Sequence, residues 1–239
     1  MRRFDEKVSD IKEFFPAISS PNTIQFEFGS RSPSATPPPL VPPKDLTLFG
    51  GDGRPVWNAH FGNHNIVVSC RQYTRWHEIW PEARKRLLLL LSLLDGYKTI
   101  RAIDYSVTDT FRAPTELGVL QARNLFQQNP RIPSFLLEYE DPRWDISQGW
   151  FENDPPFGQI LVRLDSRAFV HGPFTSVSIA NIHSRRPEPY FAVRDVLGSD
   201  DSYRVIDETF EKFHDWNKTV LKSVLVDELQ SRMGLINAD

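Results

Sequence analysis

The segment YTRWHEIWPEARKRLLLLLSLL, from Tyr73 to Leu94, constrains the fold more than any other stretch of this chain. Seven leucines fall within its last eight residues. A bilayer-spanning helix needs about 20 consecutive apolar residues, and this run is shorter and preceded by Arg84, Lys85 and Arg86. It therefore reads as a helix of a soluble protein, apolar around most of its girth over its final two turns. Such a helix has to be covered on more than one side, by a sheet and by a further neighbour. Thr74 reads as its N-cap, with Glu78 in the first turn at the positive end of the dipole. Pro81 either kinks the helix or marks where its regular part begins. Asp95 and Gly96 end it, Gly96 as the C′ residue.

The stretches around this helix read as strands. Ile24, Phe26 and Phe28 alternate with Gln25 and Glu27, the pattern of a half-buried strand. Six of the eleven residues from Pro33 to Pro43 are proline, which predicts an extended, solvated surface segment. Leu46 to Phe49, PVWNAHF and NIVVSCRQY follow as a meander, with turns at Gly50 to Gly53 and at Gly62 and Asn63. Beyond the helix come TIRAIDYSVTDTF, a short helix around Glu116 to Phe126, and the strands SFLLEYE, GQILVRLDSRAF and FTSVSIANIH. A long helix closes the chain from about Asp200 to Met233. Its apolar positions, among them Tyr203, Ile206, Phe210, Phe213, Val220 and Val224, recur every three or four residues.

Strands followed by a long helix, twice over, predict an α+β protein with curved antiparallel sheets and two long helices. One domain spans residues 1–239, with similar strand-then-helix halves at 22–96 and 97–239. The net charge is −3 over 239 residues, so no global basic field points to nucleic acid. The lone Cys70 excludes an intrachain disulfide framework and fits a reducing compartment. MRRFDEKVSD lacks an apolar secretory core, which makes the cytoplasm the expected location, with no membrane partner.

Few residues carry a chemical pattern. GGDG at Gly50 to Gly53 echoes the turn of nucleotide cyclases, but Gly53 and Arg54 stand where an acid and a phenylalanine belong, so a hairpin turn explains it. His60 and His64 flank a turn without a third metal ligand nearby. Cys70 and His214 read as packing residues. Phosphate-cradling, dinucleotide and nucleophile-elbow motifs are absent, so no catalytic residue, cofactor or metal is assigned and the chain leans away from an enzyme.

Two clusters remain as candidate sites. Arg163, Asp165 and Arg167 share one face of their strand, and Glu138 and Glu140 do the same on the strand expected before it. On the concave side of a curved sheet these five would line a tunnel for a phosphorylated small molecule or nucleotide. On an outer face they would be solvated salt bridges. Arg75, Trp76, Trp80, Arg84, Lys85 and Arg86 would form a protein-partner surface or, as a weaker alternative, a nucleic acid surface.

The order of pieces resembles a sporadically distributed bacterial family of uncharacterised proteins of similar length. The likeness runs through NTIQFEF, the stretch from LTLFGGDGRPVW to the leucines, IRAIDYSVTDTF, and FHDWNKTVLKSVL. That family opens its helix with Tyr-x-x-Trp-x-x-Ile/Phe, matched here by Tyr73, Trp76 and Ile79. Its following strand carries a Tyr-Ile-Asn-Arg-like sequence, where this chain departs with Tyr105, Ser106, Val107 and Thr108. The resemblance implies a bacterial cytoplasmic protein and transfers no catalytic residues. The expectation is a non-enzymatic interaction protein, with a protein partner or a second copy of itself. An accessory subunit of a bacterial defence or toxin–antitoxin-like system is one such role. The alternative is the ligand-binding or hydrolytic tunnel protein.

Overall fold

The computed structural model describes residues 2–19, 44–62, 65–94, 98–118, 120–155, 157–197 and 203–236. The expected strand at Ile24 to Phe28, the proline-rich segment, His64 and the Asp95–Gly96 stop lie outside them. Helices and antiparallel sheets make up the chain, an α+β arrangement. No helix among the described residues is long and apolar enough to cross a membrane. The chain divides into two compact units, Met1–Lys98 with Val193–Gly198, and Thr99–Ala192 with Ser199–Asp239.

In the first unit, two short helices, α1 (Arg2–Glu6) and α2 (Val8–Phe14), precede an antiparallel sheet. Its strands lie in the order β1 (Ala17–Ser19), β2 (Lys44–Phe49), β3 (Pro55–Phe61), β4 (Ile66–Cys70). The period of two sends Trp57, Ala59 and Phe61 to the buried face. The GGDG segment is the β2–β3 turn: the Gly50 amide donates to the Arg54 carbonyl at 2.8 Å, and Gly53 has φ +74°, which favours glycine.

Helix α3 (Trp76–Leu91) begins one residue later than the expected cap. Arg75 is the N-cap residue, and the Thr74 hydroxyl donates to the Glu78 carboxylate at 2.5 Å instead of accepting from the helix backbone. The helix runs unbroken through Pro81, whose missing N–H falls on the exposed side, where water can serve the His77 carbonyl. Ile79, Ala83, Leu90 and Leu93 form the stripe packed with Phe4, Ile11, Phe15, Leu46 and Trp57. None of the seven leucines is exposed. The second cover belongs to the same unit: α6 (Val193–Leu197) contacts α3, with Val193 and Val196 buried.

The second unit holds a small antiparallel pair, β5 (Thr99–Ile100) with β10 (Phe191–Ala192), and a larger four-stranded sheet. The larger sheet contains β6 (Ile103–Pro114), β7 (Trp144–Asp154), β8 (Gly158–His171) and β9 (Phe174–Arg185), in the order β6-β9-β8-β7, all antiparallel. Between β6 and β7 the chain forms α4 (Ala122–Leu125) and α5 (Ser134–Leu137). SFLLEYE is therefore a single helical turn and a loop, not a strand: Pro133 stands at its N-cap and Leu136 buries itself in the core. The strand at Trp144–Asp154 takes the place assigned to it.

Helix α7 (Tyr203–Val224) lies on β9 and β6, burying Ile206, Phe213, Val220, Leu221 and Val224. It stops short of Met233. The side-chain amides of Gln127, Asn129 and Gln230 donate to the carbonyls of Lys222 and Ser223, satisfying the last turn. Leu225 then bridges to Phe126, and α8 (Asp227–Arg232) starts anew.

Candidate functional site

The two faces of the larger sheet have opposite character. Alternation on β6 and β9 points Tyr105, Asn181 and His183 toward α7. There they meet Phe213, His214 and Asn217, one helical turn apart. The result is a polar layer inside an aromatic core. His183 is fully buried, with its ring 5.9 Å from that of Phe213 and 6.3 Å from those of Tyr105 and Trp216. The Tyr105 hydroxyl and His214 Nδ1 are 3.5 Å apart, and the Asn181 amide donates to the Asn217 carbonyl at 3.5 Å. Burial pushes the His183 imidazole down to about 4. His214 is also pushed down to about 4, chiefly by burial, with Lys218 adding and Asp215 opposing. Neither ring nitrogen of His183 has a hydrogen-bond partner among the described residues. Both histidines are thus neutral rings in a packed layer, fitted to hold α7 on the sheet.

The opposite face carries Arg163, Asp165 and Arg167 outward, while Val162, Leu164 and Ala168 point into the core. Arg163 Nε donates to Asp165 at 2.9 Å, and the Ser147 hydroxyl donates to the same carboxylate at 2.6 Å. Arg167 Nε donates to Asp145 across the β7–β8 pair at 2.8 Å. The two arginine side chains are 52% and 67% exposed. The enclosed tunnel is therefore corrected to an open grid of surface ion pairs. Glu138 and Glu140 leave it altogether: Glu138 caps α5, Glu140 follows in the loop, and both are exposed. Exposed pairs of this kind contribute at most about 1 kcal/mol. Arg163→Ala should accordingly shift the unfolding free energy by less than that, as read by urea denaturation.

Apolar side chains accompany this grid. Phe151 pairs directly across from Leu161 and is 64% exposed, and Phe169, 45% exposed, stands further along the same face. On β6 the outward positions are Asp104, Ser106, Thr108, Thr110 and Arg112. The Arg112 guanidinium lies 4.0 Å from the centre of the Phe174 ring.

The basic start of α3 does not form one surface. Arg75 and Lys85 are exposed and Arg84 is half-buried, but Arg86 faces inward. It shares the stripe of Ile79, Ala83 and Leu90, so helical periodicity turns it to the core. Its guanidinium lies 4.5 Å from the Trp57 ring, with Phe14 and Phe15 at 5.3 and 5.8 Å, and it donates to the Glu82 carboxylate at 2.8 Å. Lys85 binds the same Glu82 at 2.7 Å. Trp76 and Trp80 stack on each other, centroids 5.3 Å apart and planes 8° from parallel.

Comparison with family models, with curated proteins and with solved structures finds no match. His60 pairs with Asp45 at 2.8 Å on the first sheet, and burial raises the Cys70 thiol, as suits a packing residue. No group of three or more metal-ligating side chains occurs among the described residues. Sequence reasoning missed Phe151, Leu161 and Phe169. Their signal was the odd-numbered apolar residues placed on the same strand face as the arginines.

Proposed function

We propose that this chain is a non-enzymatic binding protein that docks a protein partner on the outer face of its larger sheet. The observation that carries the reading is the exposed Phe151–Leu161 pair beside the Arg163, Asp165, Arg167 and Asp145 grid, with Phe169 beyond it. Phenylalanine and arginine are enriched in protein interfaces, and a cross-strand apolar pair rimmed by charge is the shape of a small hot spot. On β7 and β8 the two outward arginines are paired one to one with Asp145 and Asp165, which favours a protein over a polyanion. An accessory subunit, of the kind found in bacterial defence or toxin–antitoxin-like systems, is a role that suits such a surface and accords with the family resemblance.

The test is a double substitution, Phe151→Ser with Leu161→Ser, compared with wild type for capture of a defined partner from its own cells. Both side chains are exposed, so the thermal midpoint should stay within a few degrees while capture is lost. Equal capture by both proteins would overturn the reading.

A further inference from the structure

Among the described residues, strand β6 is an edge of the larger sheet. It pairs with β9 over twelve consecutive residues without a register shift, about twice the ordinary strand length. No strand among the described residues pairs with its other side. Natural edges discourage association with lysine, inward-pointing charges, interior proline, bulges or short length. Here the only proline is the terminal Pro114, no lysine occurs in IDYSVTDTFRAP, and the one inward charge is Asp109.

We propose that β6 pairs antiparallel with β6 of a second copy of this chain about a two-fold axis at Thr108, joining the two larger sheets into one. The inference rests on the reading of the chain as an interaction protein and names one partner. Self-complementarity carries it. In this register Asp104 of each copy faces Arg112 of the other, Ser106 faces Thr110, and Thr108 faces itself, all on the outer face. Opposite charges and hydroxyl pairs are the cross-strand neighbours that stabilise sheets. On the inner face Ile103 faces Ala113 and Tyr105 faces Phe111. Asp109, an inward acid of the sort that guards edges, faces Val107 rather than its own counterpart. The other edge fits less well: β7 carries Asp145, Glu152 and Asp154 and no basic residue, so two copies paired there would form no cross-strand ion pair.

Sedimentation equilibrium of the full chain from about 1 to 100 μM, a range wide enough to bracket micromolar affinities, tests this. A concentration-dependent dimer is expected. Asp104→Arg and Arg112→Asp each set like charges opposite one another twice per dimer, and should weaken association about tenfold or more. The double exchange, Asp104→Arg with Arg112→Asp, restores both pairs and should return the affinity to near wild type. Circular dichroism confirms that each variant is folded. A monomer at every concentration overturns the inference. So does a dimer indifferent to both reversals, or one that the double exchange does not rescue. A monomeric wild type that still captures a partner through Phe151 and Leu161 leaves the binding reading standing while this inference falls.

Discussion

Replacing Arg86 with alanine is expected to destabilise the first unit by about 3 kcal/mol, the range seen for truncated core side chains. The residue is 5% exposed, in a setting where an arginine contributes through its stem as well as its charge. Truncation removes a cation from the faces of Trp57, Phe14 and Phe15, opens a void beneath them, and leaves Glu82 with Lys85 alone. Hydrogen bonds from Lys85 and then Arg86 hold the Glu82 carboxyl below its ordinary range, and part of that effect should vanish too. Arg86→Met keeps much of the stem volume and should recover part of the loss. Arg75→Ala, on the exposed first turn, should stay within about 0.5 kcal/mol of wild type. Urea unfolding followed by circular dichroism separates the three. Equal, small effects at Arg75 and Arg86 would show that Arg86 is not part of the core.

Arg86 also shows what the sequence could and could not convey. Arg84, Lys85 and Arg86 look alike as a basic triplet, yet only Arg86 falls three and four residues from Ala83 and Leu90 on the buried stripe. Helical period held the answer, and composition hid it. Strands were legible where alternation was clean, as in PVWNAHF, GQILVRLDSRAF and FTSVSIANIH. In WDISQGWFEND the apolar alternation of Trp144, Ile146 and Trp150 is interrupted by Gln148, and the strand acquires its identity from eleven residues of pairing with β8. SFLLEYE misled in the other direction. Phe135, Leu137 and Tyr139 recur at every second position with Glu138 and Glu140 following, but Pro133 and the pull of Leu136 into the core give a helical turn. The charged strand face was read correctly as a face. Whether it was enclosed depended on which side α7 covers, and no local pattern specifies that.

The polar layer beneath α7 has a consequence for acid stability. Between about pH 6.5 and pH 4 the protein is expected to lose about 3 kcal/mol of folding stability through His183 alone. The sign follows from proton uptake. The unfolded chain binds a proton at His183 as pH falls through about 6.5, whereas the folded ring resists until about 4. The contribution is therefore complete above the unfolded value and lost as pH falls through the folded one. Rings of Phe213, Tyr105 and Trp216 surround the imidazole and offer a cation no carboxylate. His214 is displaced in the same direction and steepens the same window, Lys218 adding to its burial. His183→Phe retains a ring for the stack and removes the proton site together with two nitrogens that lack partners. Its stability at neutral pH should lie within about 1.5 kcal/mol of wild type, and its loss between pH 6.5 and 4 should shrink by about the His183 share. Urea midpoints measured across that window decide the matter. If the variant and the wild type show the same pH slope, His183 takes up its proton equally in both states, and the layer is open to water.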